Sequence, residues 1–547
     1  MRARPWARWV RHGAVSLCVV LLCAAVVALG IPWTAFAQNA DLADLLPRVN
    51  VVEENGQRVI EVDLATTLSL ALERSIALSS ARLGMDIARS DLVAALGRNN
   101  PTLTSAVGFG HSLTNLGPLG SEFTSLSGTD GYTLSVGAEK KTSSGISYGL
   151  TYSELRSRTR LLSIPESGDA PTVGDFGDWI DAAAVTGTVN IPLFQGFGSE
   201  INDIPVRRGE VGVTRSRNQT RDQELAVLEN IAKSYWRLVG LQEGLRVREQ
   251  AVALSEQLVK DNQARLRAGV LSPADVQASQ TQLARERANR LDAELNIVIL
   301  VDQVRAALNL ESLEGFGFRP VDVPRVETVR RDYQSLWRKV SENYPQLGVL
   351  KTQLANSRYN LALARDQDAP NLDLSLKYVL NGYSSDPLGS TAGFSESDLQ
   401  GYSAALTWTL PLWDTVTGET IRKRLLEQKQ IELQIRDTES VLAVRLQTVL
   451  RSLELAVENA SAAQVAKELA EAQLANGVDR FKLGRITSFE VSQLQQEALE
   501  AQEREILSRI QYESSLVDLL ILTGDIYSRY NLESAAEPSG NAYPSSE

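Results

Sequence analysis

The residue types that most often carry catalytic or metal chemistry are nearly absent from this sequence. Histidine and cysteine occur twice each among 547 residues, and His12, Cys18 and Cys23 all lie near the N-terminus. Only His111 remains in the rest of the chain. Because zinc sites need several His or Cys ligands and Cys–His catalysis needs both partners, we expect no metal, no cofactor and no enzymatic activity.

Two carboxylates stand at matching places in two similar segments. Asp275 lies in RLRAGVLSPADVQASQ, residues 265–280, and Glu490 lies in RFKLGRITSFEVSQLQ, residues 480–495. Each acid follows a Ser or Thr by three residues, which is the pattern of a helix capping box. The pattern favours helix caps, and it leaves open a second role in which the acids line a charged constriction.

A glycine precedes each acid at the end of a long helical pattern. Gly269 and Gly484 occupy the position where glycine usually ends a helix. Both segments therefore predict a helix, a tight turn and a second, capped helix.

Other matched segments follow the same order along the chain. They are 96–103 with 365–372, and 188–193 with 407–412. Three matched landmarks in one order predict a tandem repeat, because such agreement is hard to obtain by chance. We predict repeats at 63–310 and 332–524, joined by a linker at 311–331.

Each repeat contains one very long helical pattern, from about Gly198 to Ala268 and from about Thr417 to Leu483. A helix of about 70 residues reaches roughly 105 Å. The helices before the strands, about Leu64 to Arg98 and Tyr333 to Asp366, are about half as long, as are those after the turns. Two short helices stacked end to end would match one long helix, which predicts a rod or tube of paired helices.

The N-terminus has the three-part layout of a secretory signal peptide. A basic start precedes an uncharged run from Ala14 to Ile31, and Ala35-Phe36-Ala37 is typical of a cleavage site. We predict a cleaved signal peptide at 1–37, an N-terminal extension at 38–62 and a disordered tail at 525–547. An uncleaved membrane anchor is the alternative for the first segment.

Segments between the helices alternate apolar and polar residues, which is typical of a sheet with one apolar face. In a secreted chain with no obvious cover for the strands, the pattern favours a lipid-facing barrel over a half-buried soluble sheet. The residues predicted to face lipid are Val189, Ile191, Leu406, Trp408 and Leu410. Because open strand edges are not tolerated in hydrocarbon, a membrane sheet of few strands requires several chains. A further hairpin is predicted at about 130–155, and the sequence leaves open whether it joins the sheet.

This layout resembles the TolC-like outer-membrane efflux protein family from about Leu64 to Asp525. The most specific marks are the tip segments LRAGVLSPADVQ and FKLGRITSFEVSQ and the strand endings VNIPLFQGFG and LTWTLPLW. The resemblance implies an α+β membrane protein in which three chains build a transmembrane β-barrel, of about four or more strands per chain and twelve in all. The barrel would continue into a long periplasmic α-helical coiled-coil tunnel.

The resemblance also implies a function and partners. The chain would be a passive outer-membrane exit duct for efflux of small molecules or for type I protein secretion. Its partners would be two further copies in a homotrimer, outer-membrane lipid, a periplasmic adaptor (membrane fusion) protein and an inner-membrane transporter.

Residue roles follow from the same resemblance. The periplasmic gate candidates are Asp275, Glu490 and Arg485. The turn residues expected to dock the adaptor are Gly269, Val270, Gly484 and Arg485. Phe481 and Ile486 stand where the family often has Tyr and Arg, so a hydrogen-bonded lock of the usual kind is not expected.

A different function class fits part of the pattern. A soluble periplasmic coiled-coil scaffold or adaptor would also have long helices and tip hairpins, but it would lack paired membrane strands in a twofold repeat. The net charge of -12 argues against a nucleic-acid partner, because phosphate-binding surfaces need excess Lys and Arg.

Overall fold

The computed structural model describes residues 50–534. The ranges outside this description are 55–56, 119–122, 166–171, 311–316, 328–331, 386–389, 392–393, 395–398 and 411–413. The chain divides into two compact units, Met1–Val51 and Val52–Glu547. The predicted signal peptide at 1–37, the start of the extension, the last three residues of the strand ending LTWTLPLW and most of the tail lie outside the described residues.

The described part of the extension contains two strands, and that of the first repeat contains four strands and five α-helices. In chain order they are β1 (Asn50–Glu54), β2 (Gln57–Val62), α1 (Leu64–Arg74), α2 (Ile76–Leu96), β3 (Thr102–Pro118), β4 (Phe123–Lys141), β5 (Ser147–Pro165), β6 (Thr172–Pro192), α3 (Ser199–Asn202), α4 (Ile204–Arg267) and α5 (Pro273–Ala307). The linker contributes β7 (Gly317–Pro320), and the second repeat follows it. Its elements are α6 (Tyr333–Asn343), α7 (Pro345–Gln367), β8 (Asn371–Ser384), β9 (Gln400–Thr409), α8 (Thr415–Lys482) and α9 (Ser488–Thr523). A short helix, α10 (Ile526–Arg529), follows in the segment predicted to be the tail.

The helical pattern before the strands is divided in two in both repeats, so the prediction of one continuous helix there is wrong. Ser75 separates α1 from α2 with φ -61° and ψ 124°, and Tyr344 separates α6 from α7 with φ -68° and ψ 118°. Pro345 explains the second break, since the residue before a proline is disfavoured in helical conformation. At the first break the Ser75 N–H still donates to the Ala71 carbonyl at 3.1 Å.

The two long helices organise the packing. Helices α4 and α8 contain 64 and 68 residues, which corresponds to about 96 and 102 Å. In the half of the helical part nearest the sheet, α2 packs against α4, α4 against α7, and α7 against α8. In the half nearest the turns, α5 packs against α4, α4 against α9, and α9 against α8. Two four-helix layers therefore share the long helices, as the predicted end-to-end stacking requires. No helix in the described part of the chain is long and apolar enough to cross a membrane.

The core between the repeats lies where α4 meets α9. Val247 and Ala251 of α4 pack against Leu499 and Ile506 of α9, and all four are buried. Gly240 permits this close approach, because a Cβ there would lie 2.9 Å from Ile510 Cγ1. Apolar burial between these two helices ties the repeats together.

Six strands form one antiparallel sheet in the order β3-β4-β5-β6-β8-β9. The hairpin predicted at about 130–155 is the inner part of β4 and β5, and it joins the sheet between β3 and β6. The sheet therefore exceeds the expected minimum of four strands by two. Strands β6 and β8 connect the repeats, with Val189 opposite Leu376.

A second, smaller sheet joins the linker to the N-terminal extension. Its strand order is β1-β2-β7, and β2 runs parallel to β7 with Val59 opposite Gly317. The Tyr235 hydroxyl on α4 lies 3.1 Å from the Val62 carbonyl and 2.6 Å from Asp322 Oδ2. The linker and the chain before α1 are therefore both held against α4.

Candidate functional site

The six-stranded sheet presents an apolar face from one edge strand to the other. One cross-strand row on this face runs through Leu103, Ala138, Leu150, Gly187, Tyr378 and Tyr402. The residues predicted to face lipid share this face: Val189 lies opposite Leu376, and Ile191 lies opposite Leu374, which pairs in turn with Leu406. Trp408 is 67% exposed and Leu410, just beyond β9, is 49% exposed.

The opposite face consists mainly of small polar residues and glycine. Among its members are Thr102, Thr104, Gly108, Thr133, Ser135, Gly149, Thr151, Ser153, Thr186, Thr188, Ser375, Ser403 and Thr407. Glycines sit opposite threonines here, and a Cβ at Gly108 would lie 2.5 Å from Thr133 Oγ1. Apolar residues on one face and small hydroxyls on the other are the arrangement of a wall between lipid and water.

The apolar band crosses the sheet diagonally. On β3 it spans Leu103 to Phe109, whereas on β9 it spans Tyr402 to Trp408, and the register places Leu103 in the same row as Tyr402. Between these edge strands the band is displaced by about six residues, roughly 20 Å, over a width of about 24 Å. This displacement corresponds to strands tilted by about 40°, within the range of transmembrane barrels.

Charged residues mark the border of the apolar band farthest from the helices. Asp181, which is 1% exposed, lies with Oδ1 3.7 Å from Arg156 Nε. The guanidinium carbons of Arg156 and Arg158 lie 5.6 and 5.2 Å from the Trp179 ring centroid. His111 Nδ1 lies 2.6 Å from Asp130 Oδ1 on the same face. The one histidine beyond the N-terminal segment is therefore part of this polar border.

Both tip turns have the same geometry. Gly269 and Gly484 adopt φ values of 73° and 70°, the left-handed region that favours glycine. The Gly269 N–H donates to the Leu266 carbonyl at 2.9 Å, and the Gly484 N–H donates to the Phe481 carbonyl at the same distance. Val270 is 72% exposed, so its side chain is available at the tip.

Both acids in the tip segments are caps in the structure. The Asp275 carboxylate accepts from the Ser272 N–H at 3.0 Å and from the hydroxyl at 2.7 Å, while the Glu490 carboxylate accepts from the Thr487 N–H at 2.7 Å. The Ser272 hydroxyl, with its backbone N–H, holds the pKa of Asp275 below its ordinary value. Both side chains are exposed, and the capping-box prediction is confirmed.

The gate candidates are not brought together within one chain. Among the described residues, Asp275 and Glu490 each bond only the cap of their own helix, and Arg485 has no ion pair. Their gate role stays a prediction that depends on neighbouring copies.

A contact between the two tips was not foreseen from the sequence. Arg265 of the first tip lies with its guanidinium carbon 4.0 Å from the Phe481 ring centroid and donates to the Phe481 carbonyl at 2.6 Å. Phe481 is 2% exposed and packs with Leu258 and Val491. A cation over an aromatic face combined with a charged hydrogen bond fixes the two tips against each other. Arg265 and Phe481 are 216 residues apart in the sequence, so no local sequence pattern indicates that they are in contact.

The described residues contain no cluster of three or more His, Cys, Asp or Glu side chains that could hold a metal ion.

A sequence family matches most of the chain. The model of the outer membrane efflux protein family matches residues 143–310 and 336–525, one segment in each repeat. The predicted tandem repeat is confirmed by this double match. No curated protein sequence is significantly similar to the chain.

Several solved structures share the fold. The CmeC outer membrane channel of Campylobacter jejuni has a TM-score of 0.62 and 13% identity, covering 86% of this chain and 86% of its own. The outer membrane protein VceC of Vibrio cholerae has a TM-score of 0.60 and 14% identity over 84% of this chain and 96% of its own. The open-state MtrE outer membrane channel of Neisseria gonorrhoeae has a TM-score of 0.53 and 15% identity over 84% and 88%.

Proposed function

The chain belongs to the outer membrane efflux protein family, and from that premise we propose that it is a passive outer-membrane exit duct. Three copies assemble into one barrel in the outer membrane and one helical tunnel in the periplasm. The duct works with a periplasmic adaptor and an energised inner-membrane transporter, and its cargo is small molecules or secreted polypeptides.

The observation that supports this proposal most strongly is the two-faced, tilted sheet. Its apolar face ends at a charged border near Asp181 and Arg156. The apolar run from Ala183 on β6 to Leu193, one residue beyond the end of the strand, extends about 33 Å and rises about 25 Å at a 40° tilt, the height of an outer-membrane apolar band. Near the charged border, Ser390 and Phe394 lie over this face beside Gly382. Toward the helices the face is open, with Leu406 and Trp408 63% and 67% exposed.

The sheet edges support assembly from several copies. Among the described strands, β3 and β9 each pair on one side only, and they run in opposite directions because these six strands are antiparallel. The edge residues Val107 and Leu406 are 76% and 63% exposed. Hydrocarbon does not tolerate open edges, so β3 of one copy would pair with β9 of the next until the barrel closes.

The tips supply the proposed entrance and docking surface. Gly269 and Gly484 carry no side chains, which permits close approach of an adaptor at these two positions. If the tips converge, Asp275 and Glu490 from three copies place six carboxylates near one constriction, with Arg485 beside them. Exposed ion pairs contribute only about 0–1 kcal/mol each, so repetition around the axis is needed for such a gate to hold.

Fractionation tests the proposal against a soluble scaffold. The protein should remain in outer membranes after carbonate washing and enter solution only with detergent, as a trimer. A matched pair of variants sharpens the result: Leu406→Arg, inside the apolar band, should reduce assembly by about 2–4 kcal/mol, whereas Thr407→Arg on the polar face should not. Release by carbonate alone, or equal effects of the two variants, would contradict the duct.

A further inference from the structure

The number of strands per chain bears on the width of the exit. The sheet has six strands, so three copies supply eighteen rather than the twelve expected from the family resemblance. Resting on the proposed trimeric duct, we infer that its membrane wall is an eighteen-stranded barrel whose bore admits bulky, water-soluble cargo of macromolecular size.

The hairpin β4–β5 is an integral part of the sheet and not an external loop. Strand β4 pairs with β3 from Thr102 opposite Glu139 onward, and β5 pairs with β6 from Ser147 opposite Asn190 onward. Its side chains keep the face pattern of their neighbours: Leu134 and Leu150 lie on the apolar face, whereas Ser135 and Thr151 lie on the polar face. An external hairpin would not need one apolar and one hydroxyl face.

The width of six strands matches the width of the helical layer. Six strands spaced about 4.8 Å apart and tilted by about 40° occupy roughly 38 Å of circumference. Four helices side by side, at about 9 Å spacing, occupy roughly 36 Å. Four strands at the same tilt would occupy only about 25 Å. With six strands, the wall continues the four-helix layer without narrowing the duct.

Barrel diameter grows roughly linearly with strand number, so eighteen strands give a bore about 1.5-fold wider than twelve at equal tilt. Barrels of about 16–18 strands enclose an aqueous channel. The polar face adds little bulk, because threonine, serine and glycine dominate it, and the charged residues toward its helix end are Glu139, Lys141, Asp373 and Lys377. A wide, weakly charged lumen neither filters by size at small-molecule dimensions nor selects strongly by charge.

Cysteine accessibility tests the wall directly. The only cysteines of the sequence are Cys18 and Cys23 in the predicted signal peptide, so single cysteines in the mature protein report one position each. In assembled trimers in lipid, Leu134→Cys and Leu150→Cys should carry fluorophores that lipid-borne quenchers reach. Ser135→Cys and Thr151→Cys should instead react with a membrane-impermeant maleimide. Val189→Cys and Thr188→Cys on β6 are the matched outward and inward controls.

The controls separate failure of this inference from failure of the proposed function. The duct stands and the eighteen-stranded wall is wrong under one pair of results. In that case Val189→Cys is quenched from lipid and Thr188→Cys reacts with maleimide, but the cysteines on both faces of β4 and β5 all react with maleimide. If β6 does not alternate either, the duct itself is wrong.

A second experiment measures the bore. Deleting Phe123–Pro165 removes β4 and β5 and leaves β3 and β6 antiparallel, so a four-stranded sheet remains possible. Thr188→Cys should then be labelled from the outer mouth by maleimides carrying polyethylene glycol of graded mass. The full-length protein should admit larger reagents than the deletion variant. An equal size limit in two trimeric, membrane-inserted proteins would overturn the inferred width.

Discussion

The two repeats contribute different amounts of sheet to a nearly equal set of helices. Strands β3 to β6 of the first repeat contain 17, 19, 19 and 21 residues, whereas β8 and β9 of the second contain 14 and 10. The long helices differ by only four residues, 64 against 68. Even the helix breaks coincide, at Ser75 and Tyr344.

The difference shows which part of the architecture tolerates growth. A long helix is packed along both halves of its length by different partners, so an insertion there would displace every later contact. An antiparallel sheet accepts a whole hairpin, because two extra strands leave the directions of the flanking strands unchanged. We conclude that the helices fix the plan of the repeat and that the sheet sets the width of the wall.

The largest expected contrast between the repeats lies at the tips. Phe481 is buried beneath Arg265, whereas its counterpart in the first repeat, Leu266, is only half-buried. Phe481→Ala should lower the free energy of unfolding by about 3–5 kcal/mol, and Leu266→Ala by clearly less. Thermal unfolding followed by helical circular dichroism measures both, and equal losses would show that the tips are packed alike.

A second contrast concerns a buried acid in α9. Burial raises the pKa of Glu513 to about 7, although its carboxylate accepts from the Arg325 N–H at 3.0 Å. An acid whose folded pKa lies above its ordinary value loses stability as pH rises between the two values. The counterpart in the first repeat, Val298, is exposed and cannot titrate.

Glu513→Gln should therefore stabilise the protein by about 1–3 kcal/mol near pH 8 and give no such gain near pH 4. Urea unfolding at both pH values provides the measurement, with Glu497→Gln on the exposed side of the same helix as control. A gain independent of pH would mean that ionisation of Glu513 is not the cause.

The caps should behave alike in the two repeats. Ser272→Ala and Thr487→Ala each remove a capping hydroxyl of the same geometry. Each should cost about 1 kcal/mol in the free energy of unfolding. A difference well above this value would reveal a further role for one of the hydroxyls in the assembled tips.

The smallest expected effect is on ion preference. The Asp275→Asn, Glu490→Gln double variant keeps cap-sized side chains but removes the proposed ring of six negative charges. Its cation preference, measured as reversal potential across a salt gradient, should fall, and most at low ionic strength where screening is weak. An unchanged reversal potential would leave both residues as caps alone.

Local patterns in the sequence predicted the tandem repeat, the tip glycines, the capping boxes and the alternating faces, because each depends on residues close together in the chain. The break at Tyr344 had a readable signal in Pro345. The break at Ser75, the parallel pairing of β2 with β7, the Arg265–Phe481 contact and the burial of Glu513 depend on packing between distant segments. The number of strands in the sheet does not follow from the sequence, since the alternating pattern of a hairpin does not say which strands become its neighbours.

The most direct test of the duct is electrical. Purified trimers in planar lipid bilayers should conduct poorly in the wild-type form, because we propose that the tips of the three copies converge. Arg265→Ala, which removes the cation and the hydrogen bond between the tips, should give long-lived openings and a clearly larger mean conductance. If trimers inserted in the bilayer conduct in neither form, the protein is not a channel and the account fails.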